Sequence, residues 1–308
     1  MDRTILIPGA GGPAAISVIK SLKLCGFRGK IISTDSNELS AGFFLTNRGY
    51  TVPEAKDPKF IDAAKKIIKK ENIDTILPTS GFDIFPYSKH KDDISKMGVS
   101  IVVNNYDVIE KCTDKLKFFE ELENKFDMPR TSKNHADIVL PCIAKPLHGK
   151  GGRDVIVCNT KNDIKYVNSK FSEMIFQELL PGREYTIDTL SNLDGKSLVT
   201  VPRIRLETKA GISTKGRIVL DKNIQKLSED LLNHLGIIGP ACIQMKEDGN
   251  GVPRILELNP RFGGGSIFST LAGANIPEMT LDLLDSKKLD MPRIKEITIV
   301  RYFEEIVV

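Results

Sequence analysis

Over residues 1 to about 110, short β-branched runs alternate with stretches of helical spacing. The run Thr4-Ile-Leu-Ile-Pro8 feeds the turn Gly9-Ala-Gly-Gly-Pro13. Pro13 suits the first turn of a helix whose apolar Ile16, Ile19 and Leu22 recur near the helical period. Lys30-Ile-Ile-Ser-Thr34 predicts a second strand, and the amphipathic stretch from about Pro58 to Lys70 a helix. Thr75 to Pro78 and Ser100 to Val103 predict two more strands. Such alternation signals βαβ units, so an open, Rossmann-like parallel sheet is expected here.

After Tyr106 the alternation stops. A polar helix, about Thr113 to Lys125, leads into runs that read as strands: Ile143 to Pro146, Asp154 to Val157, Met174 to Glu178, Glu184 to Ser191, Ser197 to Arg205, Ala241 to Lys246 and Arg254 to Asn259. The turn sequences Asn192-Leu-Asp-Gly195 and Glu247-Asp-Gly-Asn-Gly251 make hairpin neighbours of several of them. Lys161 to Lys170 and Lys222 to Leu235 are the expected covering helices. This part is therefore α+β with antiparallel sheets, and a domain boundary is expected near residue 110.

Composition narrows the function. At 308 residues the chain is long enough for two cores, and 41% hydrophobic with 27% charged residues exclude disorder. Lys and Arg number 44 against 40 Asp and Glu, a net +4, so no nucleic-acid footprint is present. The longest uncharged runs, Thr4 to Ile19 and Phe262 to Pro277, are interrupted by Gly and Pro and fall short of the roughly 20 apolar residues of a membrane span. No membrane partner is expected. The N-terminus carries no signal-peptide pattern, and the five widely spaced cysteines lack any Cys-x-x-Cys, so a reducing, cytoplasmic setting is expected. The four histidines show no helical pair of the kind that binds zinc.

Four segments carry candidate chemistry. Gly9-x-Gly11-x-x-Ala14, between a strand and a helix and followed by Asp35, satisfies the dinucleotide fingerprint; the competing reading is a tight turn or a substrate loop. Ile143-Ala-Lys145-Pro146 puts a lysine on an apolar strand before the glycine-rich Leu147-His-Gly-Lys-Gly-Gly152-Arg153. A buried lysine calls for an anion such as a phosphate, the alternative being a surface hairpin whose lysine reaches out to water.

The third segment is Ala241-Cys-Ile-Gln244-Met with Arg254-Ile-Leu-Glu257-Leu-Asn259-Pro-Arg261. Strand alternation puts Glu257 and Asn259 on one face, with Ile255, Leu256 and Leu258 as apolar context. With Gln244 from the neighbouring strand they form an oxygen-only set suited to Mg²⁺ held jointly with phosphates, unless this is simply the polar face of a hairpin. Phe262-Gly-Gly-Gly-Ser266 follows as an anion-binding nest. The fourth segment, Phe176-Gln-Glu178-Leu-Leu-Pro-Gly182-Arg-Glu184, reads as a hinge between strands.

In this order and spacing the four segments resemble the ATP-grasp superfamily, in particular stand-alone proteins similar to one half of the carbamoyl phosphate synthase large subunit. The resemblance implies a Rossmann-like pre-ATP-grasp domain (1–110) and an ATP-grasp domain (111–308), the latter with a lid subdomain at about 115–178 and a C-terminal subdomain at about 179–308. It implies ATP binding by Lys115, Lys145, His148, Gly149, Gly151, Gly152, Gln177, Glu178, Leu179, Leu180 and Glu184. Glu257, Asn259 and Gln244 are implied metal ligands for Mg²⁺, with Mn²⁺ as an alternative. Gln244 is a departure, since many relatives carry an acidic residue there, although the carbamoyl phosphate synthase branch also uses glutamine.

Arg261, with Lys145, would steady the transferred phosphoryl group. The implied activity is an ADP-forming ligation of a small-molecule carboxylate to an amine through an acyl phosphate, in a homodimer. Carbamoyl phosphate synthesis itself is not expected of a single unit. For substrate contacts the sequence offers Arg203, Arg205, Lys215 and Arg217, Gly264, Gly265 and Ser266, and the Thr79 to Asp83 loop. The competing functions are a nicotinamide-dependent oxidoreductase built on Gly9, Gly11, Ala14 and Asp35, and a non-catalytic ATP-binding regulator.

Overall fold

The computed structural model describes residues 3–149 and 154–308. Its first unit alternates strand and helix: β1 (Thr4–Pro8), α1 (Pro13–Leu24), β2 (Lys30–Asp35), β3 (Arg48–Thr51), α2 (Phe60–Glu71), β4 (Thr75–Ile76), α3 (Ile84–Lys89), α4 (Lys91–Ser95), β5 (Ser100–Ile101) and α5 (Tyr106–Thr113). All five strands are parallel, in the order β3-β2-β1-β4-β5. Ile5, Leu6 and Ile7 of β1 are fully buried, because helices cover both faces of a parallel sheet. Alternation sends Leu6 to a core with α2, where Phe60, Ile61, Ala64, Ile67 and Ile68 are buried, and Ile5 and Ile7 to a second core on the opposite face.

The polar helix expected over Thr113 to Lys125 is present as α6 (Lys115–Leu122), directly preceded by α5, which was not expected. Asp114 leaves the helical conformation, and its Oδ1 accepts the backbone N–H groups of Leu116 and Lys117, each at 3.0 Å, so it starts α6 (Lys115–Leu122) as an N-cap. Residue 110, the expected boundary, lies within α5. A four-stranded antiparallel sheet follows, from β6 (Thr131–Ser132), β7 (Cys142–Pro146), β8 (Ile156–Cys158) and β9 (Met174–Glu178) in the order β6-β9-β7-β8, with α7 (Lys161–Lys170) packed against it.

The third sheet has six strands. They belong to β10 (Glu184–Ser191), β11 (Ser197–Lys209), β12 (Ile212–Ile218), β13 (Gly239–Glu247), β14 (Pro253–Asn259) and β15 (Thr298–Val300), in the order β14-β13-β10-β11-β12-β15, with antiparallel neighbours. Helix α8 (Lys222–Leu235) covers one face; α9 (Ser266–Leu271) and α10 (Ile276–Leu284) pack beside α1. The buried face of this sheet, including Leu190, Val199 and Val201, joins Phe268 of α9, Ile5, Ile7 and the α1 residues Val18 and Leu22 in one continuous core. Among the described residues no helix is long and apolar enough to cross a membrane.

Candidate functional site

Two cavities meet between the sheets. The smaller, about 380 Å³, is lined by Lys115, Lys145, Gln177, Glu178, Leu180, Glu184, Lys246 and Leu256 among others. The larger cleft, about 730 Å³, lies between the third sheet and the carboxyl ends of the parallel strands, where open α/β sheets place their ligands. Gly149, Arg205, Gly211, Gln244 and Glu257 border both.

In the smaller cavity the Lys145 ammonium donates to Gln177 Oε1 at 2.8 Å, and Gln177 Nε2 donates to Thr131 at 2.8 Å. Gln177, expected at a nucleotide hinge, thus orients Lys145. Burial pushes Lys145 down to about 8; Glu257 nearby acts to raise it and Lys115 to lower it. Lys115, the first residue of α6, donates to the carbonyls of Leu147 (3.3 Å) and Gly149 (3.0 Å), and burial lowers its pKa as well. Two lysines held near one another in a half-dry pocket make a strong demand for anion.

Along the shared wall runs one string of side-chain hydrogen bonds. Arg205 Nη1 reaches both Glu184 and, at 3.3 Å, Gln244 Oε1. Gln244 Nε2 donates to Glu257 Oε1 at 2.7 Å, and Asn259 Nδ2 donates to the same oxygen at 2.9 Å. Arg261 Nη2 donates to Asn259 Oδ1 at 2.9 Å. The pairing Gln244 with Glu257, then Met245 with Ile255, leaves Leu256 as the extra residue of a β-bulge. Ile255 and Leu258 are buried as expected, but the bulge turns Leu256 out of the core to line the smaller cavity beside Glu257. Among the described residues no three His, Cys, Asp or Glu are placed to hold a metal. One carboxylate with two amides fits a hard cation only when phosphate oxygens complete its shell.

Other expected site residues fall elsewhere. His148 is largely exposed, its Nε2 3.9 Å from Asp114 Oδ2. It lies outside both linings, as do Leu179 and the buried Ser266. Gly151 and Gly152 lie outside the described residues. Lys215 is carried away from the cleft because it sits on the exposed arm of the β11–β12 hairpin, paired with Glu207 at 2.8 Å, and Arg217 there donates to Thr298. Arg203, Gly264 and Gly265 do line the cleft, as does Thr79 to Asp83.

Packing accounts for the dinucleotide fingerprint. A side chain on Gly9 would meet Ser80 at 2.7 Å, and Gly9 has φ +72. The Asp35 carboxylate accepts the backbone N–H groups of Gly11 at 2.8 Å and Asn37 at 3.0 Å within its own loops.

Two features escaped the sequence reading. Asp188, buried on β10, accepts from Ser269 at 2.8 Å and faces Arg203 at 3.7 Å; a carboxylate in the run Ile187-Asp188-Thr189-Leu190 was its signal. Glu247 clamps the Pro181–Arg183 turn. It accepts from the Arg183 backbone (3.1 Å) and guanidinium (2.8 Å) and from Tyr185 Oη (2.7 Å), and its backbone pairs with Gly182 and Arg183. Nothing in the sequence points to this pairing.

Comparison with known proteins agrees with this layout. Residues 170–306 match the family described as "ATP-grasp in the biosynthetic pathway with Ter operon", and residues 5–102 match the "PylC-like, N-terminal domain". A carbamoyl-phosphate synthase of Methanobrevibacter smithii is 24% identical over 66% of this chain and 56% of its own length. The carbamoyl phosphate synthase large chain of Clostridium acetobutylicum is 24% identical over 87% of this chain and 27% of its own length. The chain thus spans about half, or less, of these relatives. Among solved structures, the ADP complex of N5-carboxyaminoimidazole ribonucleotide synthetase superposes with a TM-score of 0.76 at 16% identity, covering 97% of this chain and 81% of that one. The C-terminal part of the chain, residues 170–306, thus matches an ATP-grasp family, and nearly the whole chain shares the fold of that synthetase.

Proposed function

We propose that the chain is an ADP-forming ligase that activates a small-molecule carboxylate with Mg²⁺ and ATP and joins it to an amine. The observation that carries this reading is the junction of the two cavities at Glu257 and Gln244, with lysines on one side and arginines on the other. ATP occupies the smaller cavity, its adenine between Leu180 and Leu256 against the Glu178 hinge, its ribose at Glu184. Lys115 and Lys145 meet the phosphates, and Glu257 and Asn259, assisted by Gln244, hold Mg²⁺. When bound, Mg²⁺ neutralises charge on the phosphate oxygens.

The acid lies in the larger cleft. Its carboxylate oxygen attacks the γ-phosphorus, the bond to the β-phosphate oxygen breaks, and ADP leaves. Arg261, fixed by Asn259 and by the Phe262 carbonyl at 2.7 Å, faces the transferred group and offsets the charge that develops there. The amine then attacks the acyl carbon and phosphate departs. The same reading has a reducing cytosol, in which the five free thiols persist, and a homodimer.

The test is ADP release by wild type and Glu257→Ala across a panel of acids and amines, with binding of a non-hydrolysable ATP analogue and of NADH measured alongside. Loss of ADP release by about a hundredfold or more is expected for the variant. Undiminished release, or saturable NADH binding without binding of the Mg²⁺–nucleotide, overturns the proposal.

A further inference from the structure

Beside the shared wall lies a charged cluster that phosphoryl transfer does not use. Arg203, only 1% exposed, borders the larger cleft. Its Nη1 donates to Ser213 Oγ at 2.8 Å, while Asp188 Oδ2, at 3.7 Å, is too far for a hydrogen bond. Its Nε and Asp188 Oδ1 are buried without partners. Native interiors rarely leave such atoms unsatisfied without a reason.

The local charge does not balance. Phe268 lies between two guanidiniums, those of Arg203 and Arg301, each 4.9 Å from its ring centroid. Burial, reinforced by the positive charge of Arg203, lowers the Arg301 pKa, so the second cation is held there at a cost. Against these two cations stands Asp188, the one carboxylate among the described residues that acts on both. In the neighbouring string Glu184 and Glu257 offset Arg205 and Arg261. One positive charge is therefore left over in the cluster of Arg203, Phe268 and Arg301, which borders the cleft at Arg203.

The backbone clears space for it. A methyl group on Gly265 would come within 2.2 Å of Arg203 Nη2, one on Gly216 within 2.9 Å of its Cδ, and one on Gly263 within 2.7 Å of Asp188 Oδ1. Across the cleft the Asp35 carboxylate is occupied by backbone amides and the Thr79 hydroxyl donates to the Pro8 carbonyl at 2.6 Å.

We propose that the larger cleft contains a subsite for a second carboxylate, one that is never phosphorylated, with Arg203 as its anchor and Asp188 as the residue that positions Arg203. This rests on the ligase reading above and names its substrate class: one of the two co-substrates carries an additional carboxylate. A single excess charge on a planar fork matches a carboxylate better than a phosphate dianion. The group belongs either to the acid, making it a dicarboxylate, or to the amine, making it an amino acid.

Twin probes separate the sources. Glutarate is compared with butyrate, and L-alanine with L-alaninamide, each titrated into protein holding Mg²⁺ and a non-hydrolysable ATP analogue, in wild type, Arg203→Met and Arg203→Lys. In one arm the carboxylate-bearing twin is expected to bind about a hundredfold more tightly, as loss of a charge-assisted hydrogen bond implies. Arg203→Met erases that preference and Arg203→Lys keeps part of it, with nucleotide binding as the control for folding. Equal binding of both twins in both arms overturns the inference, as does a preference that survives in Arg203→Met or Arg203-dependent binding of inorganic phosphate alone. Should Arg203→Met fail to fold, the wild-type twin comparison and Arg203→Lys decide. Absence of nucleotide binding in the wild type overturns the ligase reading and this inference together, whereas the other outcomes overturn the inference alone.

Discussion

Nucleotide binding should take up a proton at alkaline pH, and the buried Lys145 sets the amount. Burial holds its ammonium at about 8, against 10.5 for an ordinary lysine. Phosphates placed against it restore the charged form, so the full linkage is worth about 3 kcal/mol. At about pH 9 the free pocket is roughly one-tenth protonated and the occupied pocket almost fully so. Binding then absorbs about 0.9 proton, and affinity falls about tenfold for each pH unit above 8.

Without nucleotide the trend reverses. Between about 8 and 10.5 the unfolded chain retains the proton that the folded chain has released, so this group's contribution to stability rises with pH across that window. Lys115, also lowered by burial, acts in the same direction. The assay is titration calorimetry with a non-hydrolysable ATP analogue in buffers of different ionisation heat, at about pH 7 and 9, on wild type and Lys145→Arg. The always-charged arginine removes most of the uptake. Negligible uptake at pH 9 in the wild type, or undiminished uptake in Lys145→Arg, refutes the assignment of Lys145 to the phosphates.

Asp114→Ala removes the cap of α6 and should lower stability by about 1 kcal/mol, while weakening nucleotide binding through the loosened Lys115; Asp114→Asn should restore most of both. Thermal unfolding with nucleotide titration checks this, and an Ala variant as stable as wild type sinks it. Glu247→Gln leaves the buried Tyr185 hydroxyl and the Arg183 backbone N–H with poorer partners, at a cost of about 1–3 kcal/mol. Because Glu247 fixes the turn after the hinge, affinity for the ATP analogue should drop while twin-probe selectivity in the cleft stays intact. A variant with unchanged nucleotide affinity shows that the clamp is only structural.

The elements most legible in the sequence were those with a clean pattern. The α2 stripe announces itself because burial follows the helical repeat, β1 and β2 as short β-branched runs buried at successive positions, and β10 and β13 as extended runs that end at the turn sequences Asn192 to Gly195 and Glu247 to Gly251. β3 and β12 were missed. Arg48–Thr51 is a half-exposed edge strand, and Ile212–Ile218 alternates buried Ser213 and Gly216 with exposed Lys215 and Arg217, so hydrophobicity gives no signal at either. The same hairpin explains why Lys215 and Arg203, both plausible anion ligands on paper, end up in opposite environments. Strand parity around Glu257 and Asn259 was readable, but the bulge at Leu256 is a register event between two strands, visible only once they pair.

The glycine-rich turn after β1 shows most clearly how one local sequence can fit two chemistries while specifying one structure. Gly9 and Gly11 do permit a tight strand-to-helix turn, yet the helix they launch is used as a brace. Ser17 Oγ donates to the Gly264 carbonyl at 3.0 Å, as does Arg301 at 2.6 Å, and Ser21 and Thr270 share a hydrogen bond at 2.7 Å. Pro13 sits so close that a methyl group on Gly264 would meet it at 3.1 Å. Helix α1 therefore holds the Gly263–Ser266 loop, which in turn leaves Arg203 its slot. Ile5, Ile7, Val18 and Leu22 share one core with Val199, Val201 and Phe268, so detaching the first unit would expose the apolar floor beneath the cleft. The parallel sheet serves this site as its back wall, and the precision of the larger cleft depends on a turn whose motif also fits a dinucleotide fingerprint.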